Sequence, residues 1–321
     1  MRHSGTRPDL GPYVILLAMG AGWGLSVPLA KLAVSTGHQP LGLIFWQEVV
    51  IVAMLGMICA LRGRPLRLDR RYWRLYLVIA LCGAVLPDIF FYFASARLPA
   101  GIMAIVIASV PIFSLPIALA LGNEHFAWKR LAGLGFGLVG ILLLIGPDAS
   151  LPERAMAVFI PVALMAPLLY ATEGNLVAKW GTDGLDSMQV ILGAATLGMV
   201  ITLPLSIVTG QWINPLASFG VPELALAASA GLHGIVYAVY VWLVGRAGSV
   251  FAAQTSYLVT GFGVIWSMLL LGERYSLWVW LALSIMMIGV AMVQPRARNS
   301  LLVRQPDIGE HDVQAQRQDR I

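Results

Sequence analysis

The chain has 321 residues, 59% of them hydrophobic and only 12% charged, with a net charge of +5. A soluble domain carries about 25% charged residues, so a chain with a mean hydropathy of +0.80 has too little polar surface to cover itself and needs lipid as solvent. The basic balance fits Arg and Lys gathered in cytoplasmic loops rather than a nucleic-acid-binding face, and two cysteines in apolar runs, Cys59 and Cys82, indicate neither a disulfide framework nor a metal cluster.

A spanning helix needs about 20 mostly apolar residues, and ten stretches fit that ruler. The short polar opening runs directly into the first, near 13–34, which holds Gly20, Trp23, Gly24 and, toward its end, Lys31. The second, 40–61, opens on Pro40 and holds Gln47 and Glu48. The third, 74–96, has Pro87 followed by Asp88. A very short joint marked by Arg97 and Pro99 leads to the fourth, 100–121, with Pro111 at its centre. The fifth, 131–147, ends on Gly146-Pro147-Asp148, a turn sequence. The sixth, 155–178, carries Tyr170, Glu173 and Asn175, and the seventh covers 187–209. The eighth, 223–245, places His233, Tyr237 and Tyr240 on one face. The ninth, 249–271, holds Gln254, Tyr257 and Gly261, and the tenth covers 276–294. Residues 295–321 are polar and mixed in charge and read as a disordered cytoplasmic tail.

Orientation follows from the basic residues. With the N-terminal segment 1–12 in the cytoplasm, 17 of the 21 Lys and Arg fall inside; Lys31, Arg97, Arg154 and Arg274 fall outside. An even number of spans puts both termini in the cytoplasm, and the expected location is the cell (inner) membrane.

The halves match at a fixed offset. Arg97 and Arg246, Glu124 and Glu273, and Gly140 and Gly289 are each 149 positions apart. This divides the chain into a first five-helix repeat, 13–147, and a second, 148–294. Five is odd, so the second copy enters the membrane upside down. The expected fold is therefore all-α integral membrane, ten transmembrane helices as two inverted repeats. Inverted repeats are built into many secondary transporters, with the substrate site near midplane where the halves meet.

The same residues carry a family likeness. Trp23-Gly24 with Lys31 resembles the opening of EamA-type members of the drug/metabolite transporter superfamily. So does the block Ala94–Gly146, with Ala100-Gly101, Pro111, Leu121-Gly122, Glu124, Gly133 and Gly140. Tyr237, Arg246-Ala247-Gly248, Leu271-Gly272-Glu273 and Gly289 repeat it. The resemblance implies spans one to four and six to nine around a central cavity, with five and ten bracing the outside. It also implies export or exchange of metabolites. The chain departs from the pattern at Gln47, where an Arg is usual, at Thr260, where Pro111 has its counterpart, and at Asn123, which interrupts the first Leu-Gly-Glu.

Polar side chains within a bilayer face protein or water and are functional candidates by default. The candidate substrate cavity is Trp23, Gln47, Asp88, Tyr92, Tyr170, Asn175, His233, Tyr237, Gln254 and Tyr257. Asp88 leads, since Pro87 removes a backbone donor beside it and Tyr92 and Ser95 share its face. It could bind a cationic group or a proton. Glu173, read as its partner across the halves, and Glu48 are further candidates for proton coupling. Each acid has a plain structural alternative, a hydrogen bond that only closes a gap. Lys31 reads as snorkelling to the surface, or as pairing with an acid. Glu124 and Glu273 read as helix caps or loop contacts. No second His or Cys stands at ligand spacing, so no metal is expected, and no cofactor.

The expected activity is that of a secondary transporter, not an enzyme. It would export a small metabolite, such as an amino acid, by alternating access, driven by a proton gradient or by a substrate gradient. No Walker-type Gly-rich Lys motif is present, so ATP hydrolysis is not expected. The alternatives are a membrane enzyme acting on a lipid-linked substrate, a channel, and a non-transporting membrane sensor.

Overall fold

The computed structural model describes residues 11–123, 125–145, 151, 153–214, 219–247 and 255–293. Glu124, Gln254, the eighth-to-ninth joint and the C-terminal tail lie outside the described residues, as do the side chains of Tyr240 and Arg246. Every regular element described is helical.

The first stretch forms α1 (Gly11–Ala33) and the second α2 (Pro40–Leu61). Pro40 sits at the first helical position, where its missing N–H has no partner to lose. The third stretch is composite: α3 (Trp73–Val78), a π-helical turn (Ile79–Val85) and α4 (Leu86–Ser95). In a regular helix the Pro87 ring would meet the carbonyl four residues back. The wide turn just before it relieves that clash. The fourth stretch is also broken, into α5 (Ala100–Ile107) and α6 (Val110–Leu121), and the Ser109 hydroxyl at the break donates to the Val106 carbonyl at 2.6 Å. Then follow α7 (Trp128–Ile145), α8 (Phe159–Trp180), α9 (Ser187–Val208), α10 (Val221–Ala247), α11 (Thr255–Leu271) and α12 (Leu277–Val293). Asp186 and Gln189 close a capping box on α9.

Among the described residues, seven helices are long and apolar enough to cross a membrane, from Tyr13–Ala33 to Ser187–Val208, with two shorter apolar ones at Tyr257–Leu271 and Leu277–Met292. Large apolar side chains such as Leu142, Val208 and Leu269 stand on the outer surface, as lipid-facing residues do. The chain is a multi-pass integral membrane protein.

The pairing of helices carries the repeat. α1 lies against α10 and α11, α2 against α9 and α10, and α7 against α12. In the other half α8 lies against α4, α5 and α6, and α9 against α3 and the π-helical turn. Exchanging the halves turns α1·α11 into α8 on α5–α6. It turns α1·α10 into α8·α4, and α2·α10 into α9 on the third stretch. The pairs α2·α9, α5·α11 and α7·α12 map onto themselves.

Glycines set the closest approaches. A Cβ on Gly24 would come within 2.8 Å of the Gly263 nitrogen and 2.9 Å of the Val259 oxygen on α11. Gly261 faces open space, and Gly263 makes the approach, both to Gly24 and to Ala104 on α5. Gly140 and Gly289, the matched pair of the repeat, both belong to the α7·α12 seam. A Cβ at Gly289 would come within 2.7 Å of the Gly133 oxygen and 2.9 Å of the Gly137 nitrogen.

Gly289→Leu is therefore expected to wedge this seam apart, since overpacking a close contact costs about 1–3 kcal/mol. Gly135→Leu, at a position with nothing within 4 Å, is the control. Thermal unfolding in detergent should show a lowered midpoint for the first variant alone; equal midpoints would contradict the seam.

Candidate functional site

Asp88 is held across the two halves. It is 8% exposed, seven residues from the end of α4 and so about 10 Å along the helix from it. The Gln47 amide on α2 donates to its Oδ2 at 2.6 Å, and the Tyr170 hydroxyl on α8 donates to its Oδ1 at 2.7 Å. The Tyr92 hydroxyl, one turn on, donates to Gln47 Oε1 at 2.5 Å. Four candidates from three stretches thus form one chain, Tyr92–Gln47–Asp88–Tyr170. The partner of Asp88 on α8 is Tyr170. Glu173, which sequence reasoning placed opposite Asp88, instead packs on Gly83 in the π-helical turn.

A second group forms between α1 and α10. The Trp23 indole donates to His233 Nδ1 at 2.9 Å, so that ring nitrogen is an acceptor. His233 stacks on Tyr237, their centroids 6.4 Å apart and their planes 15° apart, and Trp23 meets both edge-on. On α10 the face Leu226, Ala230, His233, Tyr237 is inward. Leu226 and Ala230 are buried, yet His233 is exposed.

Asn175 and Tyr257 differ in place. Asn175 is buried, and its amide donates to the Ser114 hydroxyl at 2.7 Å and to the Ala171 carbonyl at 2.8 Å, bracing α8 against α6. Tyr257 is half-buried on α11. Glu48, 1% exposed, is turned to Gly198 on α9.

The joint between α4 and α5 is gripped from both sides. Lys31 Nζ donates to the Ser95 and Leu98 carbonyls at 2.6 and 2.9 Å, at the C-terminal end of α4. Glu273 accepts from the Ala100 and Gly101 amides at 2.8 and 3.1 Å, at the N-terminal start of α5. Each charge meets the helix end whose partial charge is opposite. The Tyr275 hydroxyl donates to Glu273 and accepts from the Gly101 amide. Burial, reinforced by the bond to Glu273, holds that phenol neutral by pushing it well above its ordinary range. Lys31 and Glu273 line one open cleft. Lys31 is therefore a helix-end clamp rather than a snorkelling residue, and Glu273 is the cap its position suggested. Sequence reasoning missed Tyr275 and the His38–Glu223 bridge at 2.7 Å, which ties the starts of α2 and α10. Only helix pairing reveals either, and no local spacing encodes it.

At the other end, Arg62 and Arg64 meet Asp186 at 3.3 and 3.4 Å, and the Arg74 guanidinium lies 3.9 Å over the Trp180 ring. Among the described residues no group of three His, Cys, Asp or Glu is arranged to hold a metal ion.

The EamA-like transporter family profile matches residues 10–146 and again 158–294. The chain belongs to that family. Among curated proteins this EamA-like chain is 25% identical over 258 residues to one from Streptantibioticus cattleyicolor named "Probable terminal-alkyne amino-acid exporter", covering 78% of this chain and 82% of that protein. It is 26% identical over 179 residues to Protein PecM of Dickeya dadantii, covering 54% of this chain and 56% of the other. A solved crystal structure with no function in its description superposes with a TM-score of 0.57 at 20% identity, covering 90% of this chain and 98% of that one, which shows a shared fold.

Asp88→Ala would strand the Gln47 amide and the Tyr170 hydroxyl. Leaving buried donors unpaired costs about 1–3 kcal/mol, so its unfolding midpoint in detergent should fall below that of Asp88→Asn, which keeps the shape and one acceptor. Identical midpoints would show that the chain of bonds does not hold the halves.

Proposed function

We propose that the protein is a secondary transporter that exports a small metabolite of the amino-acid class across the cell membrane. In this reading ten spans form two inverted five-helix repeats, which alternate access to a site between them. The 17-to-4 division of Lys and Arg supports cytoplasmic termini.

The observation that carries the reading is the bond from Tyr170 to Asp88. It joins the second half to an acid in the first, inside the membrane, in a chain of the EamA-like transporter family. An acid there can pair with the ammonium group of a substrate, and the bonds around it must rearrange when the halves move. The aromatic group Trp23, His233 and Tyr237 offers flat faces and ring nitrogens to the rest of the solute. The relative named as an amino-acid exporter supports the same substrate class.

Purified protein in liposomes should show saturable counterflow of one or more amino acids from a broad panel. Asp88→Asn should lower that flux about tenfold or more, since a hydrogen bond to a charge contributes about 1.5–3 kcal/mol. If no compound of the panel moved faster than through empty liposomes, the reading would fail.

A further inference from the structure

We propose that Glu48 is the proton-carrying group of the transport cycle and that Asp88 is the counter-ion of the substrate. The proposal rests on the transport reading above and divides between two neighbouring acids the roles that composition alone leaves merged.

The two acids are built differently. Each Asp88 oxygen receives a donor, from Gln47 and from Tyr170, an arrangement that suits an ionised carboxylate, which only accepts. Glu48 follows Gln47 in sequence, yet no hydrogen bond reaches its carboxyl among the described residues. It is 1% exposed. Its Oε1 faces Gly198, so closely that a Cβ there would lie 3.3 Å away. An ionised carboxylate so largely removed from water, with no donor among the described residues, costs several kcal/mol. This packing therefore admits the neutral acid. Glu173 is the third candidate, and it differs again in being partly exposed.

The surroundings of Glu48 tie its proton to the substrate. α9, which covers it, has no titratable residue from Ser187 to Val208. α10 meets α2 through Gly234 and Met54, while its His233 is turned to Trp23 and its Glu223 is held by His38. From α4, Asp88 and Tyr92 are within electrostatic reach. The nearest charge is thus a like charge. Two adjacent negative charges repel, so an ionised Asp88 is compatible with a protonated Glu48. A substrate ammonium at Asp88 cancels that repulsion and lets the Glu48 proton leave to water. Counting the ammonium group alone, with the carboxylate of an amino acid lying away from the two acids, the summed charge is minus one before the exchange and after it: one proton leaves Glu48 as one ammonium arrives at Asp88.

The placement also supplies the conformational link. α2 and α9 belong to different halves, and their contact seals Glu48. Parting them would admit water to the carboxyl and change its proton affinity. A ligand shifts a two-state equilibrium only through such a difference in affinity.

The test compares two readouts on protein in liposomes, using an amino acid that the wild type exchanges. Glu48→Gln should lose accumulation driven by an imposed pH gradient while counterflow remains measurable. Asp88→Asn should lose both. Glu48→Asp should regain driven accumulation with a displaced pH profile. Gradient-driven accumulation by Glu48→Gln would overturn the proposal, as would loss of counterflow in a monodisperse Gln variant. If the Gln variant does not fold, the Asp variant decides: a displaced profile supports the proposal, and an unshifted one overturns it. Wild-type protein that exchanges no amino acid would instead defeat the transport reading itself.

Discussion

Apolar side chains gain little by leaving lipid for protein, so helices in a bilayer are held by close backbone approach and by a few buried polar bonds. That constraint organises this molecule. Glycine seams let α1 meet α11 and let α7 meet α12 at backbone distance. Elsewhere the halves are joined by polar bonds whose loss would be felt: Tyr170 to Asp88, the first amides of α5 to Glu273, and the Leu41 amide to Gln211. A carrier that must exchange two arrangements is well served by few strong contacts on rigid rods rather than by many weak ones.

The repeat is shared in shape and divided in chemistry. Asp88 and Tyr237 are 149 positions apart, the offset that also relates Arg97 to Arg246. Trp23 and Tyr170 stand 147 apart, each near the middle of its helix, α1 and α8. Asp88 meets Tyr170, and Tyr237 meets Trp23. Exchange of the halves therefore carries Asp88 onto Tyr237 and brings Trp23 within two positions of Tyr170. In one the pair is an acid and a phenol; in the other it is two aromatics beside a histidine. The proposed site between the halves would have a charged wall and an aromatic wall for that reason.

Much of this was legible in the amino-acid order, because lipid imposes a simple rule on it. Length and apolarity marked the helices, and the Arg97/Arg246 and Gly140/Gly289 offsets marked the repeat. Rarity of buried charge singled out Asp88, Glu48 and Glu173. What was not legible was pairing. Gln47 and Tyr170 sit on helices far apart in sequence, and nothing local says that both reach Asp88. Gly261 and Gly263 look alike in a string of letters, and only the facing helix decides which one is in contact. Lys31 resembled a snorkelling residue because the helix end it caps belongs to another span.

The π-helical turn before Pro87 has a wider meaning. A turn of this kind holds one residue more than an α-turn, and one residue is about 100° of rotation. Tyr76 before the turn rests on Gly193 of α9, whereas Asp88 after it addresses α2 and α8. The extra residue acts as a swivel inserted in one rod, letting its two ends keep separate appointments. An helical wheel drawn through both ends would misplace one of them. Loss of a single residue between 79 and 85 would leave the span long enough for the membrane and still aim Asp88 at the wrong neighbour.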